Sequence, residues 1–70
     1  MEEIKIKDEF IKLGQALKLA GLAGSGVDAK FMIGEGMVTV NGETEYRRGR
    51  KVYPGDMIEL DGNQVKVSNI

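Results

Sequence analysis

The chain has no cysteine, no histidine and no tryptophan, and its single proline is Pro54. Each absence closes a class of function. Without cysteine there is no disulfide staple and no thiolate nucleophile; without histidine the usual zinc ligand sets and the usual general base are missing too. Ser25 and Ser68 are the only serines, so no Ser-His-Asp arrangement can be assembled. The carboxylates sit at turns and termini, without the spacing of an acid/base pair. An enzyme is therefore the weakest class, and no cofactor, metal or small-molecule substrate is expected. Long apolar runs are lacking as well. Lys18 interrupts the best stretch, Ala16 to Ala23, which falls short of a signal segment or a membrane span. The expectation is a cytoplasmic protein with no membrane partner.

What is present fits one small domain over residues 1–70. A chain of this length buries only about 60% of the surface its unfolded form exposes, so its core is thin. Hydrophobic content of 41% with ten glycines reads as globular, with many tight turns. Glu3 to Lys7 alternates, with Ile4 and Ile6 on one face, as in a half-buried strand. From Leu13 the period changes: Leu13, Ala16, Leu17 and Ala20 line one side of a helix about two turns long, with Gly14 as candidate N-cap and Gly21 as C′ residue. Ser25-Gly26-Val27-Asp28 has the form of a capping box opening a second helix. That helix carries Ala29, Met32 and Ile33 inward and stops near Gly34 or Gly36.

Strand signals dominate the rest of the chain. Val38-Thr39-Val40 precedes Asn41-Gly42, the strongest hairpin signal in the sequence. The turn Tyr53-Pro54-Gly55-Asp56 leads into a last hairpin through Asp61-Gly62, with Ile58, Leu60, Val65 and Val67 inward. The fold class expected is α+β: two short helices packed on one face of a small, mostly antiparallel sheet. Met1, Met32, Met37 and Met57 are candidates to fill gaps in the core.

A net charge of −1 and a pI near 5.3 argue, taken alone, against a nucleic-acid partner. The placement of the charges argues the other way. From Phe10 to Lys51 there are seven basic residues against four acidic ones, a local balance of +3, and the compensating acids lie at the two ends. Surface potential follows local arrangement, screened over about 8–10 Å, so a basic face can coexist with an acidic pI. Arg47, Arg48, Arg50 and Lys51 concentrate four cations in five positions around Gly49. Lys12, Gln15 and Lys18 recur every third residue and form a polar ridge opposite the apolar helix face. Small residues at Gly24, Ser25 and Gly26 open the start of the second helix to an anion. Ridge, helix start and arginine run together suit a phosphodiester backbone. Taken singly, the ridge reads equally well as a solvated face, and Ser25 as a plain helix cap. Phe31 falls on the outer side of its helix, where it either stacks on an unpaired base or covers Phe10 or Tyr53 at the edge of the core. Tyr46 and Tyr53 flank the basic run and admit the same two readings.

The pattern Leu13-x3-Leu17-x3-Gly21-Leu22, Ser25-x3-Ala29-x3-Ile33-x2-Gly36-x-Val38-x-Val40-Asn41-Gly42 and Pro54-Gly55-Asp56-x-Ile58 resembles the S-four RNA-binding domain, named after ribosomal small-subunit protein four. The motif-bearing core runs from 13 to 60, about two thirds of the chain. The resemblance implies the two-helix αL motif on a small sheet, gripping structured RNA. Such domains occur in ribosomal proteins, RNA-modifying enzymes, tyrosyl-tRNA synthetases and small ribosome-associated factors. Short stand-alone bacterial members with an Arg-Arg-Gly-Arg-Lys run imply ribosomal RNA, or a ribosomal particle in assembly, as partner. By the same resemblance Lys12, Gln15, Lys18, Ser25 and Lys30 match positions where the family meets RNA. Gly26 stands where the family often has arginine, and Arg47, Arg48, Arg50 and Lys51 are the candidates to compensate from a different point of the surface. The expectation is a non-catalytic RNA-binding protein. The alternative from another class is a small protein–protein adaptor using the basic loop or a sheet edge.

Overall fold

Alternation and glycine placement account for most of the architecture in the computed structural model, which describes residues 2–70. Nine elements follow in order: β1 (Glu2–Ile6), β2 (Ile11–Lys12), α1 (Leu13–Leu19), α2 (Gly26–Gly34), β3 (Val38–Val40), β4 (Glu43–Thr44), β5 (Lys51–Val52), β6 (Met57–Leu60) and β7 (Asn63–Asn69). The main sheet has the strand order β1-β7-β6-β3-β4, and β2 pairs with β5 in a separate two-stranded ladder. Three of the four pairings in the main sheet are antiparallel, as the hairpin signals require. The fourth, β1 on β7, is parallel and sets Ile4 beside Val67.

The core sits between the sheet and the two helices. Ile4, Ile6, Val38, Val40, Ile58, Leu60, Val65 and Val67 present the inner face of the sheet, and Leu13, Ala16, Leu17, Ala29 and Ile33 cover it. Every inward residue named from the alternation of the last hairpin is buried. Both helices end in the same way. Gly21 (φ 78°) and Gly36 (φ 77°) take the left-handed conformation that a residue with a Cβ resists. The amides that follow reach back into the last turn, Leu22 N to Leu17 O at 2.9 Å and Met37 N to Met32 O at 3.1 Å.

Asn41 and Gly42 both have positive φ (53° and 86°), as do Asp61 and Gly62 (54° and 83°), so both hairpins turn in the two-residue mirror-image geometry that matches strand twist. Gly55 at φ 99° after Pro54, with Asp56 N donating to Tyr53 O at 2.9 Å, completes a type II turn. These turns are then locked together. Asn41 Nδ2 donates to Asp56 Oδ1 at 3.0 Å, Met57 N donates to Asn41 Oδ1 at 2.9 Å, and Asp56 Oδ2 accepts from Tyr53 N at 2.8 Å. Asn-Gly and Pro-Gly-Asp are thus two halves of one structural lock.

Three expectations are corrected. Gly14 is not the N-cap of α1; Lys12 is, in extended conformation and without a side-chain cap bond. The orphan amides are met instead by the basic loop, Leu13 N donating to Arg50 O and Gly14 N to Arg48 O, each at 2.9 Å. Phe31 covers neither Phe10 nor Tyr53: it is 63% exposed, while Phe10 and Tyr53 pair with each other at a ring separation of 5.8 Å. Among the methionines only Met32 packs on the core; Met37 is exposed, Met57 is half-buried, and Met1 lies outside the described residues.

Candidate functional site

The site begins with two helix starts and one loop. The first turns of α1 and α2 line one groove with Arg48 and Gly49, and the backbone of that loop is bonded to the start of α1. Because α1 has no side-chain cap, its first amides draw the loop backbone in through the Arg48 and Arg50 carbonyls. The loop is therefore fixed to the helix that carries the Lys12, Gln15 and Lys18 ridge. Between them lies an open groove of about 380 Å³. Lys12, Gln15, Lys18 and Arg48 line it, and Gly14, Gly26, Ala29 and Gly49 leave its floor low. Among the described residues no carboxylate lines it. A larger concavity of about 520 Å³ lies across the same ridge, but it mixes Asp8 with Ile6, Phe10, Ile11 and Leu19. For a polyanion the smaller groove, whose charged residues are all cationic, is the better fit.

The nine residues singled out from the sequence divide between several places. Lys12, Gln15, Lys18 and Arg48 converge on the groove. Gly26, where the resemblance leads one to expect arginine, lines the same groove as Arg48. Ser25 caps α2: its Oγ accepts from Asp28 N at 3.2 Å. The Asp28 carboxylate lies over Gly24, with Oδ2 3.2 Å from where a Cβ there would stand. An acid thus already occupies the ground beside that helix start and complements its dipole. Lys30 is exposed on α2 outside the groove. Lys51 lies opposite Lys12 in the β2–β5 ladder, an arrangement of like charges that costs stability. Its Nζ turns 4.9 Å over the Phe10 ring, which partly relieves the repulsion.

Arg47 and Arg50 are held by Glu45, one of the four acids between Phe10 and Lys51. Glu45 is buried, 8% exposed, directly after β4. Its Oε2 accepts from Tyr46 N, Arg47 N and Arg47 Nε, each at 3.0 Å, and its Oε1 accepts from Arg47 Nη2 and Arg50 Nη1, each at 3.2 Å. The Arg47 guanidinium and amide hold the Glu45 carboxyl at about 2, well below its ordinary 4.5, against the upward push of burial. Arg47 remains 77% exposed beyond this contact and Arg50 only 30%. Arg48 has no ion-pair partner among the described residues. The signal that could have found Glu45 is an acid two residues before an arginine run and one residue past a hairpin strand.

Residues 4–68 match the S4 domain family. The chain is 51% identical over 59 residues to the probable ribosome maturation protein RlbA of Bacillus subtilis (strain 168), covering 84% of this chain and 83% of that one. It is 38% identical over 61 residues to the putative RNA-binding protein YbcJ of Escherichia coli (strain K12), covering 87% of each. The solution structure of YbcJ from E. coli, described as revealing an ALFAL motif involved in RNA-binding, superposes with a TM-score of 0.69 at 34% identity, covering 96% of this chain and 84% of that one. The chain belongs to the S4 domain family, with the fold of two helices on a mostly antiparallel sheet that its structural relative shares.

Proposed function

We propose that this protein is a non-catalytic RNA-binding protein that docks on structured RNA, foremost ribosomal RNA or a ribosomal particle during ribosome maturation. The observation that carries this reading is the groove where Lys12, Lys18 and Arg48 converge with no carboxylate among them. Phosphate oxygens would seat there, with Gln15 as a neutral donor and the glycine floor allowing close approach. Recognition of this kind reads the shape of an RNA helix more than its sequence. The name of the Escherichia relative points to RNA, and that of the Bacillus relative to ribosome maturation. Residues 1–70 would act as one RNA-binding unit, with 13–60 carrying the contacts, in the cytoplasm beside the ribosome. No helix among the described residues is long and apolar enough to cross a membrane. A non-catalytic role rests on the missing cysteine and histidine and on Ser25 serving as a cap.

Sedimentation of a cell lysate tests the reading. The protein should travel with ribosomal particles, and nuclease treatment should release it to the top of the gradient. Retention of a protein partner after complete RNA digestion would favour the adaptor reading instead.

A further inference from the structure

The arginine run is shaped before it is used. Glu45 N donates to Val38 O at 3.0 Å, which anchors its backbone to β3. From there one carboxylate gathers two backbone amides and two guanidinium groups, and Arg50 N closes the turn on Arg47 O at 3.2 Å. That turn aims the Arg48 and Arg50 carbonyls at the first amides of α1 and leaves the Arg48 side chain at the groove. The four cations of the run are therefore not equivalent. Arg50 is the interior half of the clasp, Arg47 the outer half, and Arg48 projects from it.

We propose that Glu45 is a positioning residue of the RNA face: its carboxylate folds residues 45–50 into the turn that caps α1 and sets Arg48 over the groove. Arg47 and Arg50 then serve binding chiefly by holding this shape, and Arg48 by touching phosphate. The inference rests on the RNA-binding reading above. It makes an expectation opposite to charge counting. Removing an acid from beside three arginines should tighten the grip on a polyanion if charge alone matters, whereas loss of the turn should loosen it.

The test uses the full chain. Wild type, Glu45→Gln, Glu45→Asp and Arg48→Ala are titrated with purified ribosomal RNA over a range of KCl concentrations, with Lys66→Ala, on a strand remote from the groove, as reference. Amide exchange of the free proteins is followed at Leu13, Gly14 and Val67. Glu45→Gln should bind about fivefold to tenfold more weakly than wild type although it is one unit more positive. Its Leu13 and Gly14 amides should exchange about tenfold faster, while Val67, bonded to the Asp56 carbonyl, stays protected. Glu45→Asp, which keeps the charge and shortens the reach, should weaken binding in the same way if Glu45→Gln does not fold. Arg48→Ala should keep the amide protection and make the log–log salt slope shallower by about 0.7–0.9. Equal or tighter binding by a folded Glu45 variant overturns the inference, whatever the amides do. Loss of Val67 protection in both variants overturns it as well, because Glu45 would then support the whole fold and not the turn. Failure of the RNA reading is distinguishable: wild type would show no salt-dependent affinity, while Leu13 and Gly14 would still respond to Glu45→Gln.

Discussion

Two turns in this protein are each organised by one carboxylate, and they differ in what the carboxylate holds. Asp56 takes a backbone amide and the neutral side chain of Asn41, tying one hairpin to the next. Glu45 takes two backbone amides and two guanidinium groups, tying a loop without regular structure to the start of α1. The first turn is built from residues with intrinsic turn geometry, Asn-Gly and Pro-Gly, so its shape precedes its hydrogen bonds. The second contains only Gly49 as a conformational aid, so its shape depends on its charges. A carboxylate bonded only to uncharged donors stabilises the sheet with little dependence on salt. A charged clasp stabilises a surface while leaving Arg48 without an ion-pair partner among the described residues.

The comparison can be broken at either end, starting with the Asp56 lock. Asp56→Ala removes acceptors for Asn41 Nδ2 and the Tyr53 amide, and should lower unfolding stability by about 1–3 kcal/mol. Urea denaturation monitored at low and high salt should give the same loss at both. Gly36→Ala comes next: φ of 77° and a Tyr46 ring carbon only 3.3 Å from the added methyl should cost about 1–2 kcal/mol. The charged clasp answers to pH. The Glu45 carboxyl sits at about 2 in the folded chain against an ordinary 4.5. As pH falls, the unfolded chain therefore takes up this proton first. The contribution of Glu45 is complete above about 4.5 and is lost as pH falls through that value toward 2. Across this window wild type should lose more stability than Glu45→Gln; parallel pH profiles would contradict the clasp. Gly14→Ala should have the smallest effect. An added methyl would stand 3.6–3.8 Å from Arg48, ordinary contact, and the helix should gain up to about 0.5–1 kcal/mol in calorimetry.

The same contrast explains what could be read from the residues alone. Ile4 and Ile6, the Leu13/Ala16/Leu17 face, both hairpin dipeptides and Gly21 were legible because each follows from a local period or a local conformational preference. The parallel pairing of β1 with β7 was not legible, since it joins the two ends of the chain and no local signal encodes the partner of an edge strand. The cap of α1 was misread for a related reason: Gly14 is a plausible cap nearby in sequence, whereas the carbonyls that satisfy the helix come from more than thirty residues away. At the candidate site, charge placement points to the ridge and the arginine run together, and the structure brings Arg48 of that run to the ridge. The hierarchy within that run was not legible, because Glu45 looks like any exposed acid until tertiary structure buries it. Phe31 is an outward aromatic in sequence and in structure, at 63% exposure.

The central claim is that folded RNA is held through its phosphates at the groove of Lys12, Lys18 and Arg48. The salt dependence of wild-type affinity for purified ribosomal RNA tests it most directly. Three neutralised phosphates, one for each cation of the groove, predict a log–log slope of about −2 to −3. A slope near zero, with affinity unchanged between low and moderate KCl, would contradict the account.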